Sequence, residues 1–338
     1  MAYEDFPYRE PQISYISQPE VLTYINNYAS SFNLLPHIKF FKHVVQIDPL
    51  PDGKWTVKIK DLKTNNSEQN EYDAVLVCVG KYSVPKSPRI QGMDKFKGTI
   101  IHSHAFRKPD PFKNRKVLIV GAGPSGIDIS RIVSEVFISI RSENSAVIKP
   151  SDTVSVKTDI KEIEENSVIF KDNSKENIDD IIFCTGYQYS YPFLSSRCGI
   201  SIDNNWVKYL YKQIINIEHP TMGFIGIPFR ICPFPIFWYT GEIFSCILKG
   251  NVKINKEQML QELNQYMLKK KEEGSPPQHA HLLGLKQGWY TDDLGATAGI
   301  KKVPPVIAKL YEYIVTSAKG KFHISYKIVN DNEFIQMS

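Results

Sequence analysis

The sequence predicts an α/β protein of two Rossmann-like units, the first lacking its N-terminal part, and three observations predict it. An apolar strand closing in Cys-x-Gly occurs twice, at residues 73–80 (DAVLVCVG) and 180–186 (DIIFCTG). The short apolar run KVLIV at 116–120 leads straight into Gly121-Ala122-Gly123-Pro124-Ser125-Gly126 and then the helical Ile127-Asp128-Ile129-Ser130. The equivalent offset upstream of Gly80 holds no glycine, since the first glycine of the chain is Gly53.

In chain order, Ser17-Gln18-Pro19-Glu20 reads as a capping box, and Val21, Leu22, Tyr24, Ile25, Tyr28, Ala29 and Phe32 continue it as a mostly apolar helix ending near Asn33. Residues 38–47 and 55–60 alternate like strands around a Pro51-Asp52-Gly53 turn, and 72–79 makes a third strand. The second half repeats the arrangement with strands at 153–160, 167–171 and 180–184. Pro85, Pro88 and Gly92 mark a domain crossing, and a second crossing follows Gly186. The expected domains are therefore 1–88, 89–187 and 188–338, the last carrying helical runs at 256–273 and 305–318.

Composition narrows the function. With 338 residues and 42% hydrophobic content, the chain can bury a substantial core. A net charge of +5 is mild, and Lys269-Lys270-Lys271 passes directly into Glu272-Glu273, so no nucleic-acid surface is expected. Five cysteines, two inside apolar strands, and the lack of a leading signal segment suit a cytoplasmic protein. The most apolar stretch, 223–248, carries Arg230, Glu242 and the prolines Pro228, Pro233 and Pro235, which fits buried core and not a membrane span.

The glycine loop carries the chemistry. Gly121 permits the tight turn, Gly123 lets a pyrophosphate approach the backbone, and Gly126 lets the helix pack on the strand, so the helix N-terminus faces the anion. The strand at 136–140 ends in Arg141 where an acid would hold a free ribose 2′-hydroxyl. Arg141 can pair with a 2′-phosphate, which favours NADPH over NADH; a plain surface arginine is the alternative. His102/His104 and His279/His281 share faces by spacing, but no cysteine or carboxylate cluster completes a metal ligand set.

Phe96-x-Gly98-x-x-x-His102-x-x-x-Phe106 precedes the nucleotide strand, and here the sequence resembles the flavin-containing monooxygenases. Asp5-Phe6-Pro7, Cys184-Thr185-Gly186-Tyr187, His219-Pro220-Thr221-Met222, Cys232-Pro233-Phe234-Pro235 and His279-Ala280-His281 extend the match over nearly the whole chain, most like the shorter insect forms. The resemblance implies FAD and NADPH as cofactors. It implies that O₂ adds at flavin C4a and that the hydroperoxide oxygenates a small amine or sulfide. The oxidant belongs to the flavin, so no catalytic side-chain constellation is expected, and none is evident. His102 would orient the domain crossing near the nicotinamide; a hydrogen-bonded structural histidine is the alternative. Val44, Thr185 and Gly186 would belong to the remaining flavin site. A homo-oligomer is compatible with this reading.

The chain departs from the family in three places. The family's N-terminal FAD-pyrophosphate loop has no counterpart, which predicts an exposed edge on the first parallel sheet and a partner covering it or poor solubility. Cys78-Val79-Gly80-Lys81-Tyr82 stands where insect relatives read Cys-Asn-Gly-His-Tyr, and Phe237-Trp238-Tyr239-Thr240-Gly241-Glu242 replaces the usual acid-Leu-Gln tract. Three readings follow: part of a working monooxygenase, a non-catalytic NADPH-binding relative, or a Baeyer–Villiger enzyme. The Phe106-Arg107 ending argues against the third.

Overall fold

The computed structural model describes residues 2–8, 14–133, 135–140, 154–316 and 324–337. They form two compact units, one from residues 1–81 and 189–338, the other from 82–188.

The first unit begins with α1 (Gln18–Ser31), whose start is fixed as the capping box predicts: the Ser17 N–H and hydroxyl both donate to the Glu20 carboxylate, at 2.7 and 2.6 Å. Strands β1 (Lys42–Pro49), β2 (Trp55–Asp61) and β3 (Ser67–Tyr72) form an antiparallel meander. β1 starts four residues later than its alternation suggests, because Phe41 takes a left-handed backbone at φ 59°. The strand expected over 72–79 is two elements: Tyr72 closes β3, and β4 (Val75–Val77) starts afresh after Asp73-Ala74.

The second unit opens with β5 (Val84–Pro85) and centres on a five-stranded parallel sheet. Its strands are β6 (Thr99–His102), β7 (Lys116–Val120), β8 (Glu135–Ser139), β9 (Val154–Lys157) and β13 (Asp180–Phe183), in the order β6-β13-β7-β8-β9. α2 (Pro124–Ser130) joins β7 to β8. The strand expected over 153–160 ends at Lys157, and Ile160 begins a separate meander, β10 (Ile160–Ile163), β11 (Ser167–Phe170) and β12 (Lys175–Asn177). Alternation along β7 explains the layering: Val117 and Ile119 pack with Ile129 of α2 and Phe112, whereas Leu118 and Val120 pack with Ile163, Val168 and Phe170 of the meander. Both faces are thereby covered, which is why KVLIV reads as a continuous apolar run.

β14 (Tyr187–Gln188) pairs antiparallel with β5, Tyr187 opposite Pro85 and Gln188 opposite Val84. The chain then returns to the first unit through β15 (Ile202–Asp203), β16 (Trp206–Val207), β17 (Leu210–Tyr211), β18 (Ile215–Asn216) and β19 (Met222–Phe224). β19 runs parallel to β4, completing a sheet of order β17-β18-β19-β4. Among the described residues β4 has strand neighbours on one side only, and Leu76 is 39% exposed.

The apolar stretch over 223–248 resolves into β19 and the helix α3 (Pro233–Leu248), with Ile236, Tyr239 and Ile243 buried against β17–β18, α4 (Lys256–Glu272) and α5 (Gln287–Ala298). No helix among the described residues is long and apolar enough to cross a membrane. α6 (Pro305–Thr316) and the hairpin β20 (Ser325–Ile328) and β21 (Phe334–Met337) complete the described chain.

Candidate functional site

The glycine loop follows the carboxyl end of β7, where open α/β sheets bind ligands. Gly121 takes φ +106°, and its N–H donates to the Ser139 carbonyl of β8 at 3.0 Å. A side chain there would stand 2.8 Å from the Cys184 carbonyl. A Cβ on Gly126 would lie 2.0 Å from the Gly121 carbonyl oxygen, so α2 approaches the loop as closely as it does only because position 126 is bare. Gly123, the residue before α2, differs: a Cβ there would meet nothing within 4 Å. Two glycines thus close the turn and the third leaves its face open. Pro124 and Ser125 form the exposed first turn, and Ala122 packs half-buried against the core under the loop.

The arrangement fits a dinucleotide pyrophosphate. The first N–H groups of a helix have no intrahelical partner, Pro124 takes one of these positions without breaking a helical bond, and the cleared face at Gly123 lets an anion reach the rest. Cys184 backs the loop, its thiol pushed up to about 12 by burial. It is therefore a packing residue and not a nucleophile. The repeated Cys-x-Gly was its signal in the sequence.

His102 ends β6. Its Nδ1 accepts the His104 N–H at 3.1 Å, which leaves the proton on Nε2, and Nε2–H donates to the Gly186 carbonyl at 3.0 Å. Burial is the main cause holding its imidazole below the usual range, opposed by the Gly186 bond and reinforced by His104. The Lys86 N–H also donates to the Gly186 carbonyl, and the Thr185 hydroxyl donates to the Lys86 carbonyl. His102, Thr185 and Gly186 therefore fasten β5 to the residues preceding β14, with Tyr187 edge-on to both His102 and His104. Among the expected site residues, the loop, His102, Thr185 and Gly186 fall in the second unit. Val44 falls in the first, half-buried in β1 beside a bulge, and Arg141 lies outside the described residues. Among the described residues no cluster of His, Cys, Asp or Glu could hold a metal ion.

A family model described as flavin-binding monooxygenase-like matches residues 1–153 and 145–311. The chain belongs to this family. FAD and NADPH are the family's cofactors. Among relatives, the flavin-containing monooxygenase FMO GS-OX-like 4 of Arabidopsis thaliana is 29% identical over 345 residues, covering 96% of this chain and 76% of the relative. FMO GS-OX5 of the same plant is 32% identical, covering 88% and 70%. The S-allyl-L-cysteine S-oxygenase of Allium sativum superposes with a TM-score of 0.84 at 30% identity, over 94% of this chain and 75% of that one. Tmm from Pelagibacter gives the same score at 21% identity, over 93% and 73%, and shows the shared fold. This flavin-binding monooxygenase-like chain is thus an α/β protein with Rossmann-like units, as its repeated strand-glycine pattern predicts.

Lys81 and His281 of the first unit stand within motifs visible in the sequence, but their burial was not foreseen. Lys81 is buried against Phe229 and Tyr189. His281 is buried between Gln213 and Val207, its Nδ1–H donating to the Gln213 side-chain oxygen and its Nε2 accepting the Val207 N–H, both at 3.0 Å. Their adjacency to Gly80 and to the His-Ala-His match was visible; their burial depends on partners far along the chain.

Proposed function

We propose that this chain performs NADPH- and O₂-dependent oxygenation of a small soft nucleophile, an amine or a sulfide. The observation that carries it is the loop in which Gly121 and Gly126 are closed and Gly123 is open. When bound, NADPH supplies two electrons and FAD passes them to O₂. The chain's own residues bind and position. Gly123 and the first turn of α2 receive the pyrophosphate, and Arg141 is the partner for the 2′-phosphate. His102, kept neutral, holds Gly186 and the crossing strands in register and supplies no acid. In the first unit, Val44 contributes backbone to the flavin side. The S-oxygenase relative at 30% identity supports a sulfide among the substrates. All five cysteines are free thiols, which supports a cytoplasmic setting.

A second reading, an NADPH-binding protein without oxygenase activity, is favoured by the aliphatic and cationic Val79 and Lys81, which stand after β4 where insect relatives read Asn and His. The visible spectrum of the purified chain, after FAD addition and gel filtration, separates the two. Retained flavin followed by amine- or sulfide-dependent NADPH oxidation supports the oxygenase. NADPH binding without retained flavin leaves the second reading.

A further inference from the structure

Ser-Pro occurs at two places in the chain, Ser87-Pro88 and Ser275-Pro276, and Thr-Pro does not occur. Proline after a serine removes an N–H and confines the serine to extended backbone. Protein kinases take their substrates in that shape.

The two pairs stand in different surroundings. Ser275 is half-buried between α4 and the short turn over Pro277–His279, and its N–H donates to the Lys270 carbonyl at 2.9 Å. Gly274 before it takes φ +70°, so presenting Ser275 to an enzyme means undoing the end of the helix. Ser87 is exposed, two residues past the end of β5, which has β14 as its strand neighbour on one side only among the described residues. Lys86 is tied down: its N–H donates to the Gly186 carbonyl at 2.9 Å, and its carbonyl accepts the Thr185 hydroxyl. Among the described residues no hydrogen bond engages Ser87 itself, and the next backbone bond forward is Met93 N–H to the Ile90 carbonyl at 3.3 Å. The serine therefore lies on a short untied run between two fixed points.

Its neighbours supply recognition and a receiver for charge. Pro85-Lys86-Ser87-Pro88 has the form Pro-x-Ser-Pro, which suits the mitogen-activated class of proline-directed kinases, whereas Glu273 stands two residues before Ser275. Lys86 and Arg89 are exposed, and among the described residues neither has a carboxylate within ion-pair distance. Side chains alternate along extended backbone, so Arg89 shares a side with Ser87. A phosphoserine carries about −1.5 to −2 charges at pH 7, and a guanidinium pairs with phosphate through two parallel hydrogen bonds.

We propose that Ser87 is a phosphorylation site for a proline-directed kinase of the mitogen-activated class, with Arg89 receiving the phosphate. ATP is the donor: the bond from its γ-phosphorus to the bridging oxygen breaks, a bond from that phosphorus to Ser87 Oγ forms, ADP leaves and the hydroxyl proton is released. The product places a dianion one residue past the tie between Lys86 and Gly186. The site is independent of the oxygenase reading, since it needs neither flavin nor NADPH.

The test is incubation of the full 338-residue protein with ATP and a mitogen-activated protein kinase shown to be active on a Pro-x-Ser-Pro peptide, followed by peptide mass spectrometry. Ser87 is expected to be modified at least about tenfold faster than Ser275, and Pro88→Ala to slow that modification about tenfold. Ser87→Ala should melt like the parent and lose the fast incorporation. Equal rates at Ser275 and Ser87, no modification of Ser87, or an undiminished rate in Pro88→Ala overturns the site. Phosphorus NMR reads the part of Arg89: the second pKa of the phosphoserine should fall below its ordinary value of about 6, and Arg89→Gln should return it there. The same midpoint in both phosphoproteins overturns the pairing.

Discussion

The carbonyl oxygen of Gly121 lies 2.0 Å from where a side chain on Gly126 would begin, and this single approach sets the distance between loop and helix in the second unit. Gly126→Ala forces the helix outward and should destabilise the protein by about 1–3 kcal/mol, the usual cost of overpacking. Gly123→Ala meets nothing and should melt like the parent, yet bind NADPH at least about tenfold more weakly because its methyl occupies the cleared face. Thermal melts with fluorescence titration of NADPH check the pair; equal NADPH affinity in Gly123→Ala would remove the loop from the binding site.

His102 is neutral with its proton on Nε2, so it donates to Gly186 and accepts from His104. His102→Gln retains an N–H for Gly186, whereas His102→Leu loses both bonds and should cost about 1–2 kcal/mol more in urea unfolding. Because the folded imidazole titrates below its usual value, NADPH binding should show no inflection from His102 above pH 6.5.

His281 couples stability to pH. Burial, with Lys81 and Lys270 as lesser causes, pushes its imidazole down to about 3. The unfolded chain therefore binds a proton more readily than the folded one. The contribution is fully present above about pH 6.5 and is lost as pH falls toward 3, about 2 kcal/mol of it by pH 5. Urea unfolding at pH 7 and pH 5 should show this slope, and His281→Gln should flatten it. An unchanged slope would mean another group carries the acid sensitivity.

Asp180, 1% exposed at the start of β13, accepts two hydrogen bonds from Arg115, at 2.5 and 3.0 Å, and one from the Thr99 N–H at 3.3 Å. Arg115→Met leaves that carboxylate buried without its cation. The Arg115 side chain is 42% exposed, so water softens the loss, and about 2–3 kcal/mol is expected where a fully buried pair would give more. Asp180→Asn should cost less. Chemical denaturation of the three proteins checks the ranking.

The parts legible in the sequence are those set by local backbone chemistry. Gly121, Gly123 and Gly126 announce themselves because steric demand at each is absolute, and Ser17 and Glu20 do so because a helix start leaves N–H groups to satisfy. The strand break at Asp73-Ala74 was hidden because one polar residue between Tyr72 and the apolar 74–79 reads as ordinary strand alternation. α5 was hidden because Gly288, Gly295 and two aspartates blur its stripe, although Gly288 is where Ala308 of α6 packs close. Lys81 and His281 were illegible for a different reason. Charged and imidazole side chains are ordinarily read as surface groups, and only Phe229, Tyr189, Gln213 and Val207, brought in by tertiary folding, bury them.

The pairing of Tyr187 with Pro85 and of Gln188 with Val84 means that the second unit enters and leaves through a doorway two strands wide. A segment whose ends meet in this way is expected to be portable: residues 82–188 should fold when expressed as a separate polypeptide, and a circular dichroism melt of that fragment checks it. Genes gain and exchange such cassettes without redesigning the host, so the seam at β5 and β14 is where recombination between relatives would do the least damage.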